Sequence, residues 1–223
     1  MPGSGIPRLA RLLGRVALAY IVVFALWLIA AGQYHLLLGK AAGTLIPVVA
    51  RSNVERVWYA DGGMRYRIKF ESRDAGIRLL PGQTVEAVMQ VVVDIHQFGY
   101  PMVTFLALAI GIHGPPPRKR ILLTILGAAI LFGIYALWVL VEVYQYLSVQ
   151  ELPFLRHNLI ARLISPHFYA ANRIGFYVFL GQVLPIAVWA LLFLRSFRKT
   201  RSAATKIEAV RVGIESHHAT AKS

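Results

Sequence analysis

Long apolar segments alternate with short polar segments along this chain. Residues 16–38, 121–147 and 174–194 are each long enough to cross a hydrocarbon core of about 30 Å as a helix. The apolar segment at residues 98–113 is shorter, so we expect its helix to begin nearer Asp94. The pattern predicts an α-helical membrane protein with about four transmembrane helices.

Residues 39–97, between the first two apolar segments, have a different pattern. Arg65 to Lys69 alternates basic and apolar residues, which is the two-residue period of a half-buried strand. Asp61-Gly62-Gly63 suits a tight hairpin turn, and the Val-rich run from Thr84 to Ile95 is typical of another strand. We therefore predict a small antiparallel β unit of three or four strands between helices 1 and 2.

The remaining segments are polar or amphipathic. Three prolines followed by three cations predict a loop at residues 114–120, because proline blocks helix continuation and cations resist insertion into lipid. Residues 151–170 carry apolar residues on one side, which predicts an amphipathic helix at the membrane surface. Pro185 predicts a kink in the last helix. The other predicted segments are a basic N-terminal segment at 1–15, an amphipathic outer segment at 148–173 and a basic, disordered tail at 195–223.

Composition and charge support this division. Hydrophobic residues make up 57% of the chain and charged residues 15%, whereas soluble domains carry about 25% charged residues. The net charge of +14 comes without a nucleic-acid-binding motif, so we expect lipid and not nucleic acid as a partner. Residues 1–15, 114–120 and 195–223 carry 13 Lys and Arg against two acids. The positive-inside rule then places both termini in the cytoplasm and the β unit outside a bacterial inner membrane.

The first apolar segment has some features of a signal peptide. Ala30-Ala31-Gly32 offers small residues at which cleavage could occur. However, the run at residues 16–38 is long compared with the apolar region of a signal peptide, which has about 7–15 residues. We therefore expect this segment to be retained as the first transmembrane helix.

Few residues suggest a catalytic, cofactor or metal site. The absence of cysteine excludes a disulfide, a thiolate metal site and a cysteine nucleophile. The histidines His35, His96, His113 and His157 lie far apart and lack carboxylates at metal-ligand spacing. No nucleophile elbow, phosphate loop or dinucleotide fingerprint occurs. We expect no catalytic centre, no cofactor and no metal.

Glu142 is the only acid inside a predicted transmembrane helix, and an ionisable residue in a membrane is a functional candidate by default. It lies near the outer end of the third helix, where Arg156, Arg162 or Arg173 could pair with it. Two interpretations follow from this position. Glu142 either forms a structural ion pair or belongs to the polar path of a small transporter.

The predicted strand at residues 65–69 has a basic face. Arg65, Arg67 and Lys69 lie on one side of the strand, and Tyr66 and Ile68 lie on the other. The basic side either protects an exposed sheet edge from aggregation or docks an acidic partner segment or anionic headgroups.

The sequence Phe98-Gly99-Tyr100-Pro101 leads from the predicted strand into the apolar residues Met102 to Ile112. Along the chain, the segments occur in the order β unit, this motif, Pro/Arg/Lys turn and long helix. This order resembles the exosortase-associated membrane proteins, particularly the exosortase H-associated type, in which a Gly-x-Pro sequence starts the second helix. Gly175-Phe176-Tyr177, followed by Leu184-Pro185, is similar to the family's last helix.

The resemblance covers most of residues 16–194, and it implies a partner of an exosortase, a membrane enzyme that processes proteins with C-terminal sorting signals. The first functional hypothesis is therefore a non-enzymatic accessory protein that contacts an exosortase or another membrane protein. The second is a small transporter or channel subunit that uses Glu142. The third is a membrane enzyme whose Ser/His chemistry the spacing does not reveal.

Overall fold

A computed structural model describes residues 6–50, 53–60, 63–70, 87–94, 98–112, 115–149 and 166–194. Helix α1 spans Ile6–Ala50 and is followed by three strands, β1 at Asn53–Ala60, β2 at Gly63–Phe70 and β3 at Ala87–Asp94. Helix α2 spans Tyr100–Gly111 and helix α3 spans Pro117–Val149. Helix α4 covers 166–194 and consists of Pro166–Val178, a π-helical turn at Phe179–Val183 and the helical residues 184–194.

Among the described residues, three helices are long and apolar enough to cross a membrane, within Ala10–Pro47, Pro117–Leu147 and Ala171–Leu194. Helix α2 has 12 residues. At a rise of 1.5 Å per residue it covers about 18 Å, well short of a hydrocarbon core of about 30 Å. The predicted start of this helix near Asp94 is wrong, because β3 continues to Asp94 and α2 begins at Tyr100. The fourth predicted crossing is therefore a short apolar helix.

Helix α1 extends beyond the apolar run at 16–38 that predicted it. The residues after it remain helical to Ala50, so the β unit begins later than residue 39. Leu38, Ala42 and Ile46 recur every four residues on one side of α1 and are almost completely buried. This spacing places them in one stripe, and the stripe packs against the sheet. The sheet thus covers the C-terminal part of α1.

The sheet is antiparallel with the order β1-β2-β3, and among the described residues it has three strands. The apolar side of the central strand faces inward, since Met64, Tyr66 and Ile68 are fully buried. The alternation predicted for residues 65–69 is confirmed by this arrangement. The predicted turn residues 61–62 lie outside the described residues.

Glycines allow the sheet to approach α1 closely. A Cβ atom at Gly43 would lie 3.1 Å from Val57 Cγ2, and a Cβ atom at Gly39 would overlap the side chain of Met64. The hydroxyl of Tyr66 donates a hydrogen bond to the carbonyl oxygen of Gly39 at 3.1 Å. The sheet is therefore fixed to the helix by close packing and by a buried hydrogen bond.

Close contacts also show how the helices run relative to one another. A Cβ atom at Gly111, the last residue of α2, would lie 2.8 Å from Val16 Cα in α1. A Cβ atom at Gly127 in α3 would meet Phe105 of α2 and Leu192 of α4. The N-terminal parts of α1 and α3 and the C-terminal end of α4 therefore lie toward one end of the bundle, which we call the basic end because Arg15 and Arg118-Lys119-Arg120 lie there.

The last helix departs from regular α-helical geometry just before Pro185. Within Phe179–Val183 the helix is π-helical, and the backbone N–H of Leu184 donates to the carbonyl oxygen of Phe179. Proline lacks a backbone donor, so a π turn is one way in which a helix accommodates it. The predicted irregularity is thus a π turn on the N-terminal side of Pro185. Of the predicted amphipathic helix at 151–170, residues 151–165 lie outside the described residues, and the rest belong to α4.

Candidate partner-binding regions

Phe98 and Gly99 connect the sheet region to α2, and both are buried. The ring of Phe98 lies 5.8 Å from that of Tyr135. A Cβ atom at Gly99 would lie 2.8 Å from Trp27 Cζ2 and 3.1 Å from His35 Nε2. Gly99 has φ −80° and ψ −50°, which any residue can adopt. Glycine is therefore required here for space and not for its conformational freedom.

Tyr100 and Pro101 complete the motif at the first turn of α2. The ring of Tyr100 is 53% exposed and stacks on Phe24 of α1, with ring centroids 6.2 Å apart. Pro101 occupies a first-turn position, where its missing N–H leaves no hydrogen bond unmade. The carbonyl oxygen of Gly99 accepts from the N–H groups of Met102 and Val103. The motif thus starts the helix and packs it against α1.

The depth of this motif constrains its surroundings. Gly99 lies beside Trp27, in the middle of the apolar run at 16–38. Non-helical backbone at such depth in a membrane is tolerated only where protein or water covers its polar groups. Trp27 and His35 lie against Gly99 and Tyr135 lies against Phe98, so protein side chains surround the start of α2.

His35 is the centre of an aromatic cluster next to Gly99. It is 2% exposed, and its ring lies 5.5 Å from Tyr59 of β1, 5.8 Å from Tyr34 and 6.1 Å from Trp27. Tyr34 also packs against Phe132 of α3 at 5.9 Å. The cluster, Trp27, Tyr34, His35, Tyr59 and Phe132, therefore joins α1, α3 and the sheet. Sequence reasoning missed it, although Trp27, Tyr34 and His35 recur at helical spacing.

A second contact joins this region to α4. The hydroxyl of Tyr135 donates to the carbonyl oxygen of Leu180 at 2.9 Å, within the π turn. Because Tyr135 also contacts Phe98, the start of α2 and the irregular turn of α4 share one buried tyrosine. π turns are common at functional positions of helices.

Glu142 belongs to a second contact between α3 and α4, seven residues after Tyr135 on α3. The hydroxyl of Tyr177 donates to Glu142 Oε1 at 2.6 Å, and Arg173 Nη2 lies 3.9 Å from Glu142 Oε2. Arg173 Nε in turn donates to the Tyr177 hydroxyl at 3.0 Å. Of the three cations predicted to pair with Glu142, Arg173 does so, and Arg156 and Arg162 lie outside the described residues. Glu142 therefore holds the N-terminal part of α4 against α3.

The outward side of the sheet carries the predicted basic residues. Arg67 pairs with Glu55 at 3.0 Å, and Arg56 stacks over Trp58 at 5.4 Å. Arg65 is opposite Trp58 on β1 and Val92 on β3. We call this surface the basic sheet face; it consists of Arg56, Trp58, Arg65, Arg67, Lys69, Val88, Gln90 and Val92, and it also includes the acids Glu55 and Asp94.

The buried side of the sheet has tyrosines that remain neutral. Burial raises the pKa of Tyr66 well above its usual value. Burial also raises the pKa of Tyr59, and the negative charge of Asp94 adds to this effect. Both phenols are therefore neutral at physiological pH, and that of Tyr66 donates its hydrogen bond to Gly39. Within the described ranges, no three His, Asp or Glu side chains gather in a way that could hold a metal ion.

These features define a multi-pass α-helical membrane protein whose first helix carries a small antiparallel sheet. The family model described as exosortase H-associated membrane protein matches residues 7–196. The chain therefore belongs to the exosortase H-associated membrane proteins, as the resemblance of its second-helix motif predicted. No curated protein and no solved structure matches it.

Proposed function

We propose that this protein is a non-enzymatic accessory subunit of an exosortase-type protein-sorting system in the bacterial inner membrane. Family membership over residues 7–196 is the observation that carries the proposal, since the family is described by its association with an exosortase. A rigid framework agrees with this role: Glu142 is held by Tyr177 and Arg173 in an α3–α4 contact, and within the described helices no other acid accompanies it. The partner is the exosortase or a protein on which it acts.

The basic sheet face is the surface that suits a partner. Its row of Arg65, Arg67 and Lys69 is flanked by Trp58 and by the half-exposed Val88 and Val92. Mixed cationic and apolar surfaces recognise acidic segments, and their charges chiefly govern encounter rate and specificity. The positive-inside rule does not account for cations on the outer side, where we place the sheet. The proposal therefore assigns this face to an acidic segment of the exosortase or its substrate.

Affinity capture of the tagged full-length protein with a co-expressed exosortase, in a mild detergent, tests the proposal. We expect the exosortase to co-purify. Exchanging Arg65, Arg67 and Lys69 together for Gln should weaken capture and make it less sensitive to salt, because fewer charges contribute to association. Exchanging Arg201, Lys206 and Arg211 for Gln lowers the net charge equally and serves as the matched control.

Two results would contradict parts of the proposal. If the exosortase fails to co-purify with the wild-type chain at any salt concentration, the accessory role is wrong. If capture succeeds and the triple variant of the sheet behaves like the control at every ionic strength, the partner binds elsewhere, and the helices become the contact surface.

A further inference from the structure

An apolar groove runs along α1 on the side where α2 and α3 pack. Its wider part has a volume of about 660 Å³ and is lined by Leu26, Trp27, Met102, Leu106 and Phe132, among others. Gln33 and Tyr34 lie at one end. The groove lies beside α2, which contacts α1 at Val16 near the C-terminal end of α2 and at Trp27 and His35 near its N-terminal end.

A narrower part of about 400 Å³ continues the groove toward the basic end of the bundle. The two parts share Val23 and Ile110 in their linings, so they adjoin each other along α1. The narrow part is lined by Arg15 as well as by apolar residues. The missing side chain of Gly111 lets α1 approach α2 at Val16, and this contact sets Arg15 beside the end of α2.

On α1 the lining of the groove runs from Arg15 to Leu37, and its part between Arg15 and Trp27 corresponds in length to one leaflet. Arg15 and Trp27 are 12 residues apart on α1, which is about 18 Å at 1.5 Å per residue. Half of a hydrocarbon core is about 15 Å. A single acyl chain lying in the groove would thus place its lipid phosphate at Arg15 and its end near Trp27. We infer that the groove binds one acyl chain of an anionic phospholipid, with the phosphate held by Arg15.

Charge and volume favour a lipid over a partner's helix. Cations close to a membrane surface attract anionic headgroups, and Arg118-Lys119-Arg120 lies at the same end of the bundle as Arg15. The wider part alone, of about 660 Å³, lies in the range of roughly 300–1,000 Å³ found for small-ligand pockets.

Quenching of Trp27 fluorescence by brominated lipids tests this inference. Exchanging Trp58, Trp138 and Trp189 for Phe leaves Trp27 as the only tryptophan. In vesicles of phosphatidylcholine, brominated phosphatidylglycerol should quench Trp27 several-fold more than brominated phosphatidylcholine at the same mole fraction. Arg15→Gln should remove this preference, whereas Arg118→Gln, at the same end but outside the groove lining, should keep most of it.

A second pair of variants tests the groove itself. Val22→Phe fills the narrow part and should reduce quenching by both lipids, whereas Ile21→Phe, on the exposed side of α1, should not. Thermal unfolding of the chain with all its tryptophans is an independent measurement: phosphatidylglycerol should raise the Tm, and Arg15→Gln should abolish the increase.

Equal quenching by the two lipids, together with an equal Tm in both, would overturn the inference. So would a headgroup preference that Arg15→Gln leaves unchanged. Crosslinking of a cysteine at Val22 to a second protein, with no headgroup preference in the isolated chain, would assign the groove to a partner's helix instead.

Discussion

At the residue scale, the motif at the start of α2 illustrates how packing fixes a residue type. Gly99 lies against Trp27 and His35 with no room for a side chain, although its backbone angles suit any residue. Phe98 and Pro101 are buried on either side of it, and Tyr100 is half exposed. The motif is therefore a packing element that joins α2 to α1, with one aromatic ring directed outward.

We predict that Gly99→Ala destabilises the protein by about 1–3 kcal/mol, because the added methyl group forces Trp27 or His35 to move in a packed interior. Thermal unfolding in detergent, monitored as the loss of monodisperse protein, measures this effect. Gly133→Ala is the matched control: a Cβ atom at Gly133 in α3 meets nothing within 4 Å. That change should be neutral or stabilise by up to about 1 kcal/mol. Equal destabilisation by the two changes would contradict the packing argument.

At the scale of elements, the sheet is stable because it packs on α1. A small isolated sheet is marginal in water, and here its apolar side is covered by the stripe Leu38, Ala42 and Ile46. The hydrogen bond from Tyr66 to Gly39 is the polar part of this contact. The sheet and the C-terminal part of α1 should therefore unfold together.

We predict that Tyr66→Phe lowers the free energy of unfolding by about 1 kcal/mol, the usual net value of a hydrogen bond. The wild type should also lose stability as the pH rises above about 10. An unfolded tyrosine loses its proton near its usual pKa of 10.0, whereas the buried Tyr66 has a raised pKa and keeps its proton. Tyr66→Phe should show a smaller loss over the same range.

The measurement is unfolding by heat or denaturant at a series of pH values from about 8 to about 11. Tyr100→Phe, which changes a half-exposed ring, is the control and should keep the wild-type pH dependence. Identical pH profiles for the wild type and Tyr66→Phe would show that Tyr66 does not contribute.

At the scale of the whole molecule, the described residues form three long helices, one short helix and a sheet in a fixed arrangement. The contacts of Gly111 with Val16 and of Gly127 with Leu192 place the N-terminal parts of α1 and α3 and the C-terminal end of α4 toward one end. The sheet packs on the opposite part of α1. The orientation that we propose follows from the cations at the basic end and in the sequence segments 1–15, 114–120 and 195–223.

We predict that the basic end faces the cytoplasm and that the sheet lies outside the inner membrane, because short segments rich in Lys and Arg are retained inside. The chain has no cysteine, so single cysteines can be labelled without a background reaction. An impermeant maleimide should label Gln90→Cys on the exposed side of β3 in spheroplasts. Lys119→Cys, at the start of α3, should react only after lysis. If Lys119→Cys were labelled in spheroplasts and Gln90→Cys only after lysis, the topology would be the inverse of the one we predict.

The amino-acid sequence by itself determined the class of protein and several of its parts. Apolar length alone distinguishes the long membrane helices, because the thickness of the hydrocarbon core is fixed. The alternation at residues 65–69 determined which side of β2 is buried, since side chains alternate along a strand. The motif at residues 98–101, together with the order of segments around it, was sufficient to indicate the family.

Only the tertiary structure decided the rest, because it depends on contacts between distant parts of the chain. The apolar run ends at Leu38, so the sequence predicted that helix 1 ends there. Although Gly39, Gly43 and Pro47 are poor helix formers, α1 continues to Ala50, and its buried stripe packs against the sheet. Tyr135 and Leu180 are 45 residues apart, and no local pattern predicts their hydrogen bond. The burial of His35 and the lipid-sized groove likewise exist only where α1, α2 and α3 meet.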